Sequence, residues 1–131
     1  MPDRWEILDT ASEIAGSVYD EHMTAFVESF VEGNRRDRWL YLLLERPKNV
    51  FRNSHKLYND LNRSQCFRCK DTNEIALDQR GVYYDFYSAP KNLTLREALL
   101  VGADSDGIFS IKPGKIALYF FHESEIWLCK R

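Results

Sequence analysis

The end of the chain constrains the fold most. Ile108–Ile111, Ile116–Phe121 and Ile126–Cys129 are short, apolar, β-prone runs, parted by Lys112-Pro113-Gly114-Lys115 and by His122-Glu123-Ser124-Glu125. Proline presets one turn dihedral and glycine accepts positive φ, so Pro113-Gly114 is a strong turn signal. The three runs read as a three-stranded antiparallel meander. Just ahead, Thr94-Leu95-Arg96-Glu97 has the spacing of a capping box before Ala98, Leu99, Leu100 and Val101, with Gly102 as the stop, which predicts a short helix.

Upstream the period changes. Ala11, Ile14, Ala15, Val18, Tyr19, Met23, Ala25, Phe26 and Phe30 recur mostly at three- and four-residue steps and predict one amphipathic helix from Asp9 to Val31. Thr10 or Asp9 would cap it, with Glu13 as the capping-box partner, and Gly33-Asn34 would end it. The apolar run Trp39–Leu44 precedes Pro47, which disfavours helix at Arg46, and reads as a buried strand, with a buried helical turn left open by periodicity alone. From Lys48 to Arg63 the helical period returns. Val50, Phe51, Ser54, Leu57, Tyr58 and Leu61 share one face, opposite Lys48, Arg52, Lys56 and Arg63. Glu74–Leu77 and Val82–Tyr87 are β-prone stretches around a turn at Asp78–Gly81. The expectation is an α+β fold, with a long N-terminal helix and a second helix packed on a mainly antiparallel sheet that ends in a β-meander.

At 131 residues the chain fits one domain, residues 1–131, and 44% apolar content with 14% aromatics supplies a core without metal or disulfide staples. The longest apolar run is six residues, far short of the roughly 20 that span a bilayer, and the first residues lack a secretory pattern. Three cysteines suit reduced thiols and a cytoplasmic home. The net charge of −2 conceals an asymmetry. Residues 1–33 carry eight acids against Arg4, whereas residues 34–70 carry ten bases against Asp37, Glu45 and Asp60. The two segments are expected to pack near each other and partly cancel.

No catalytic motif stands out. Cys66-Phe67-Arg68-Cys69 has the spacing of half a zinc site, but His122 and Cys129 make a poor second half, and packed thiols are the better reading. Asp104-Ser105-Asp106-Gly107 opens like a calcium loop, then places Ile108 and Lys115 where oxygen ligands belong, which leaves an acidic turn. The six glycines are scattered singly, so no phosphate-cradling loop is present. Tyr83, Tyr84, Phe86 and Tyr87 surround Asp85 rather than bases, which suits a protein-facing surface better than a base-stacking platform. No metal, cofactor or catalytic residue is expected. Of the histidines, His22 reads as a packed helix residue, and His55 sits at the edge of an apolar face.

The ending IALYFFHESEIWLCKR, after the short helix LREALLVG, resembles the immunity proteins of bacterial polymorphic-toxin and contact-dependent-inhibition systems. The likeness covers about the last third of the chain. It implies tight binding to one cognate toxin domain, neutralised by protein–protein contact; separately, the short apolar runs argue against a membrane partner and the balanced charge disfavours nucleic acid. Acidic connections would steer such a protein to a cationic cleft. Asp104, Asp106, Glu123 and Glu125 are the expected contact carboxylates, with Trp127 as an aromatic anchor. Two other classes stay open: a nucleic-acid-binding module using the basic segment 35–70 through Arg35, Arg36, Arg38, Lys48, Arg52, Lys56 and Arg63, or a small enzyme with His22, His55 or His122 as acid or base.

Overall fold

The computed structural model describes all residues except Met1, Pro2, Phe51, Asn53, Phe86, Tyr87, Ala103, Asp104 and Glu123, and omits the side chains of Ser54, His55 and Ser88. Among the described residues six α-helices accompany one six-stranded sheet: α1 (Arg4–Thr10), α2 (Gly16–Phe30), α3 (Arg36–Glu45), α4 (Pro47–Val50), α5 (Ser54–Asp60), β1 (Cys66–Cys69), β2 (Arg80–Asp85), β3 (Ser88–Thr94), α6 (Leu95–Gly102), β4 (Gly107–Lys112), β5 (Ile116–Phe121) and β6 (Glu125–Lys130). The strand order is β1-β6-β5-β4-β2-β3, antiparallel throughout.

Both faces of the sheet are buried, and strand alternation sorts the side chains between them. Along β5, Ala117, Tyr119 and Phe121 join one core with Phe26, Phe30, Trp39, Leu43 and Leu57 from α2, α3 and α5. Leu118 and Phe120 join the other with Ile7 and Leu8 of α1 and Ala98 and Val101 of α6. The C-terminal meander forms as expected, with Gly114 at φ 70° in its first turn. The capping box forms too: the Thr94 amide and hydroxyl donate to Glu97 Oε1, and the Glu97 amide donates to Thr94 Oγ1.

Elsewhere the structure corrects the expectations. The predicted helix Asp9–Val31 is two helices, because residues 12–14 run extended along the outer edge of β3. There the Asn92 amide donates to the Ser12 carbonyl and the Ile14 amide to the Pro90 carbonyl. An unpaired sheet edge outcompetes one continuous helix. Asp3, not Asp9 or Thr10, caps α1 by accepting from the Glu6 amide. Trp39–Leu44 is helical, not a strand; Trp39, Leu42 and Leu43 face the core while Tyr41 is exposed. Pro47 still stops that helix before Arg46. The second predicted helix is divided into α4 and α5, and Phe51 lies outside the described residues. Glu74–Leu77 forms turns, while β1 and β3 arise where no strand was expected. Tyr83 and Tyr84 are buried rather than facing a partner.

The two charged segments pack near each other as expected, α2 against α3 with Val31 bridged to Leu61, although among the described residues no ion pair joins residues 1–33 to residues 34–70. Arg4 instead reaches the sheet. Its guanidinium donates to Asp85 Oδ2 at 3.0 Å and to the Val101 carbonyl at 2.7 Å, fastening α1 to β2 and α6 together. Asp85 is fully buried and also accepts from the Tyr83 hydroxyl at 2.8 Å. Burial, then the neighbouring Asp85 charge, keeps the Tyr83 phenol protonated far above its ordinary range. Arg4→Met would strand a buried carboxylate and is expected to lower stability by about 3–5 kcal/mol in denaturant titration. Adding Asp85→Asn should recover part of that loss; equal stability of Arg4→Met and wild type would show that the pair does not clamp the helix.

Candidate functional site

The connections that carry the expected contact residues meet at one end of the sheet. Asp106 precedes β4, and His122–Ser124 link β5 to β6. Asp106 Oδ1 accepts from the His122 backbone amide at 2.9 Å and lies 3.0 Å from His122 Nδ1. Its side chain is only 16% exposed, so Asp106 ties the two connections together instead of projecting as a free carboxylate. Glu125 Oε1 accepts from Trp127 Nε1 at 3.1 Å. Trp127 itself is 9% exposed and packs in the core. Asp104 and Glu123 lie outside the described residues.

Between this end and α6 opens a cleft of about 140 Å³, lined by Leu99, Gly102, Phe120, Phe121, Ser124, Glu125 and Ile126. Gly102 makes its floor possible, since a Cβ there would come within 2.8 Å of the Phe120 ring. Ser124 holds φ 63°, a left-handed conformation that strains a non-glycine residue and fixes the rim. The cleft walls on the α6 side are mainly apolar, since the Glu125 carboxylate bonds Trp127, which belongs to the core on the other face of the sheet. Pockets for small-molecule ligands usually begin near ~300 Å³, so the cleft has the size for one inserted side chain.

Sequence reasoning overlooked the aromatic backing of this end. Tyr58 of α5 stacks on Phe121 at 4.4 Å between ring centroids and meets Trp127 edge-on at 5.4 Å. Arg63 covers the Trp127 ring at 4.2 Å and the Tyr58 ring at 4.8 Å, and donates to the Tyr58 carbonyl. The helical row containing Tyr58 was visible, but its meeting with β5 and β6 is set by tertiary packing.

The other candidates are structural. Cys66 faces Cys129 across the β1–β6 ladder, while Cys69 points to the other side. Burial pushes the Cys129 and Cys69 thiols upward, which favours their protonated form. Among the described residues no group of three His, Cys, Asp or Glu side chains could hold a metal ion, and no helix is long and apolar enough to cross a membrane. Comparison with family models, with curated proteins and with solved structures finds no match to this chain.

His22 of α2 lies half-buried against the sheet, its Nδ1 2.7 Å from Ser110 Oγ. Burial lowers its proton affinity, opposed by Glu21 and by the Ser110 contact. The unfolded chain therefore protonates here first, near the ordinary value of 6.5. Stability from the neutral ring is complete above that value and is lost as pH falls below it. Urea midpoints should drop from about pH 7 to about pH 5, and His22→Gln should flatten that drop. An unchanged pH profile in the variant would assign the sensitivity to other groups.

Proposed function

We propose that the chain is an immunity-type protein that binds and neutralises a cognate toxin domain, without catalysis of its own. One observation carries the reading: the cleft is lined by α6 and by the β5–β6 hairpin, the same two segments, LREALLVG and IALYFFHESEIWLCKR, that resemble immunity proteins. A small, mainly apolar pocket for a single side chain, backed by a packed aromatic cluster, is the kind of feature that anchors a protein interface. Asp106 contributes by fixing the hairpin against β4, and Glu125 by meeting a cation. Trp127 supports the surface from beneath. Asp104 and Glu123 belong to the same connections and extend the acidic character in sequence. The compartment on this reading is the cytoplasm, where Cys66, Cys69 and Cys129 stay reduced.

Glu125→Gln separates binding from folding, because the amide oxygen can still accept from Trp127 while the charge is gone. Co-expression with the toxin domain encoded beside this chain should rescue growth and yield a co-purifying complex. The variant should bind more weakly by on the order of 2 kcal/mol at unchanged melting temperature. Absence of both rescue and co-purification for the wild-type chain would overturn the reading. Rescue with full affinity in Glu125→Gln would move the interface to the acidic face of α2, where Asp20, Glu21 and Glu28 are exposed.

A further inference from the structure

On the opposite face of the sheet the basic segment is split into cations bound to the chain itself and cations that line a hollow, of which Arg38 also lies 5.8 Å over the Trp39 ring. Arg36 Nε donates to the Val31 carbonyl, and Arg63 is stacked on Tyr58 and Trp127. Arg35, Arg38 and Lys56 instead line a cavity of about 310 Å³ between the start of α3 and α5, together with Asn59 and Asp60. Asp60 is the single carboxylate in that wall. One of its oxygens accepts from Trp39 Nε1 at 2.8 Å, and the other lies 3.9 Å from Arg35 Nε. Among the described residues no carboxylate pairs with Arg38 or Lys56. Three cations against one carboxylate leave the lining at +2. Like charges gathered in a concave wall repel one another, and an anion relieves that repulsion. The wall stands at the first turn of α3, whose dipole adds in the same sense.

A second feature selects among anions. Arg35, the N-cap of α3, is followed at three-residue steps by Arg38 and Tyr41 of that helix, so they stand on successive turns. Tyr41 is 52% exposed, a large aromatic ring in solvent one helical turn beyond Arg38. Arginine, lysine and an amide side chain suit a phosphate ester, and an adjacent ring suits a flat base. We propose that this pocket binds a nucleotide, its phosphate held by Arg35, Arg38 and Lys56 and its base stacked on Tyr41. The nucleotide is either free or part of a single strand. The pocket and the cleft beside α6 lie on opposite faces of the sheet, so each can be occupied without the other.

The test uses the full chain with two probes, a free nucleoside monophosphate and a fluorescein-labelled RNA octamer, followed by NMR shifts and by anisotropy. Strand binding should weaken about tenfold between 50 and 200 mM salt, as two or three neutralised phosphates require. Arg38→Glu and Lys56→Glu should each weaken binding about tenfold or more. Tyr41→Ala should weaken it about fivefold, with Tyr41→Phe restoring it. Melting temperatures should stay unchanged, since all three side chains are exposed. Equal affinity for the monophosphate and for each nucleotide of the octamer identifies the free nucleotide as ligand; a large gain for the octamer identifies the strand. Binding that survives both charge reversals overturns the proposal, as does a heparin fragment of matched charge binding equally well with no effect of Tyr41→Ala. None of these failures bears on toxin binding through Glu125.

Discussion

Strand β5 fixes what the rest of the chain must do. Ile116–Phe121 has no polar side chain on either face except the buried Tyr119 hydroxyl, so a sheet built around it must be covered twice. Burying both faces demands two helical layers. The chain supplies one from residues 16–60 and assembles the other from α1, which precedes every strand, and α6, which lies between β3 and β4. That second layer is thin: α1 has seven residues and α6 eight. Helices so short are marginal on their own, which explains why α1 is fastened by the Arg4–Asp85 pair and α6 is started by a complete capping box. The cationic end of that buried pair reaches solvent, at 21% side-chain exposure, whereas Asp85 does not.

This arrangement gives the protein two unlike surfaces. The α6 side ends in a small, mostly apolar cleft, bordered by the Asp106–His122 contact and by the left-handed Ser124. The α3–α5 side presents a wider, polar, cationic hollow. The acidic residues of α2 lie on the same layer as that hollow but make no ion pair with it, so the charge asymmetry visible in the sequence persists as a surface asymmetry. Charge separated in this way steers partners of opposite sign to different places.

The meander, its Pro113-Gly114 turn and the α6 capping box were legible because each is specified by neighbours in sequence. Trp39–Leu44 was not, because a six-residue apolar run satisfies both a buried strand and a helix with one wet ring at Tyr41. The break between α1 and α2 was invisible for a different reason: the edge of β3, which draws residues 12–14 out of helix, is formed almost eighty residues later. Pro90 hid β3 itself, although a proline is tolerated in an edge strand whose outward side it faces. At the candidate site the acidic connections were recognised, but their meeting through Asp106 and His122, and the backing by Tyr58 and Arg63, depend on strand order and helix packing.

Native-state hydrogen exchange on the free chain addresses the keystone role of β5 most directly. The amides of β5 that bond to β4 and β6 should be the slowest in the molecule and should exchange only by global unfolding, together with their partners in β4 and β6. Amides of α5 and of the 70–79 turns should open earlier. Sub-global opening of β5, at a free energy equal to that of α5, would contradict the central place assigned to this strand.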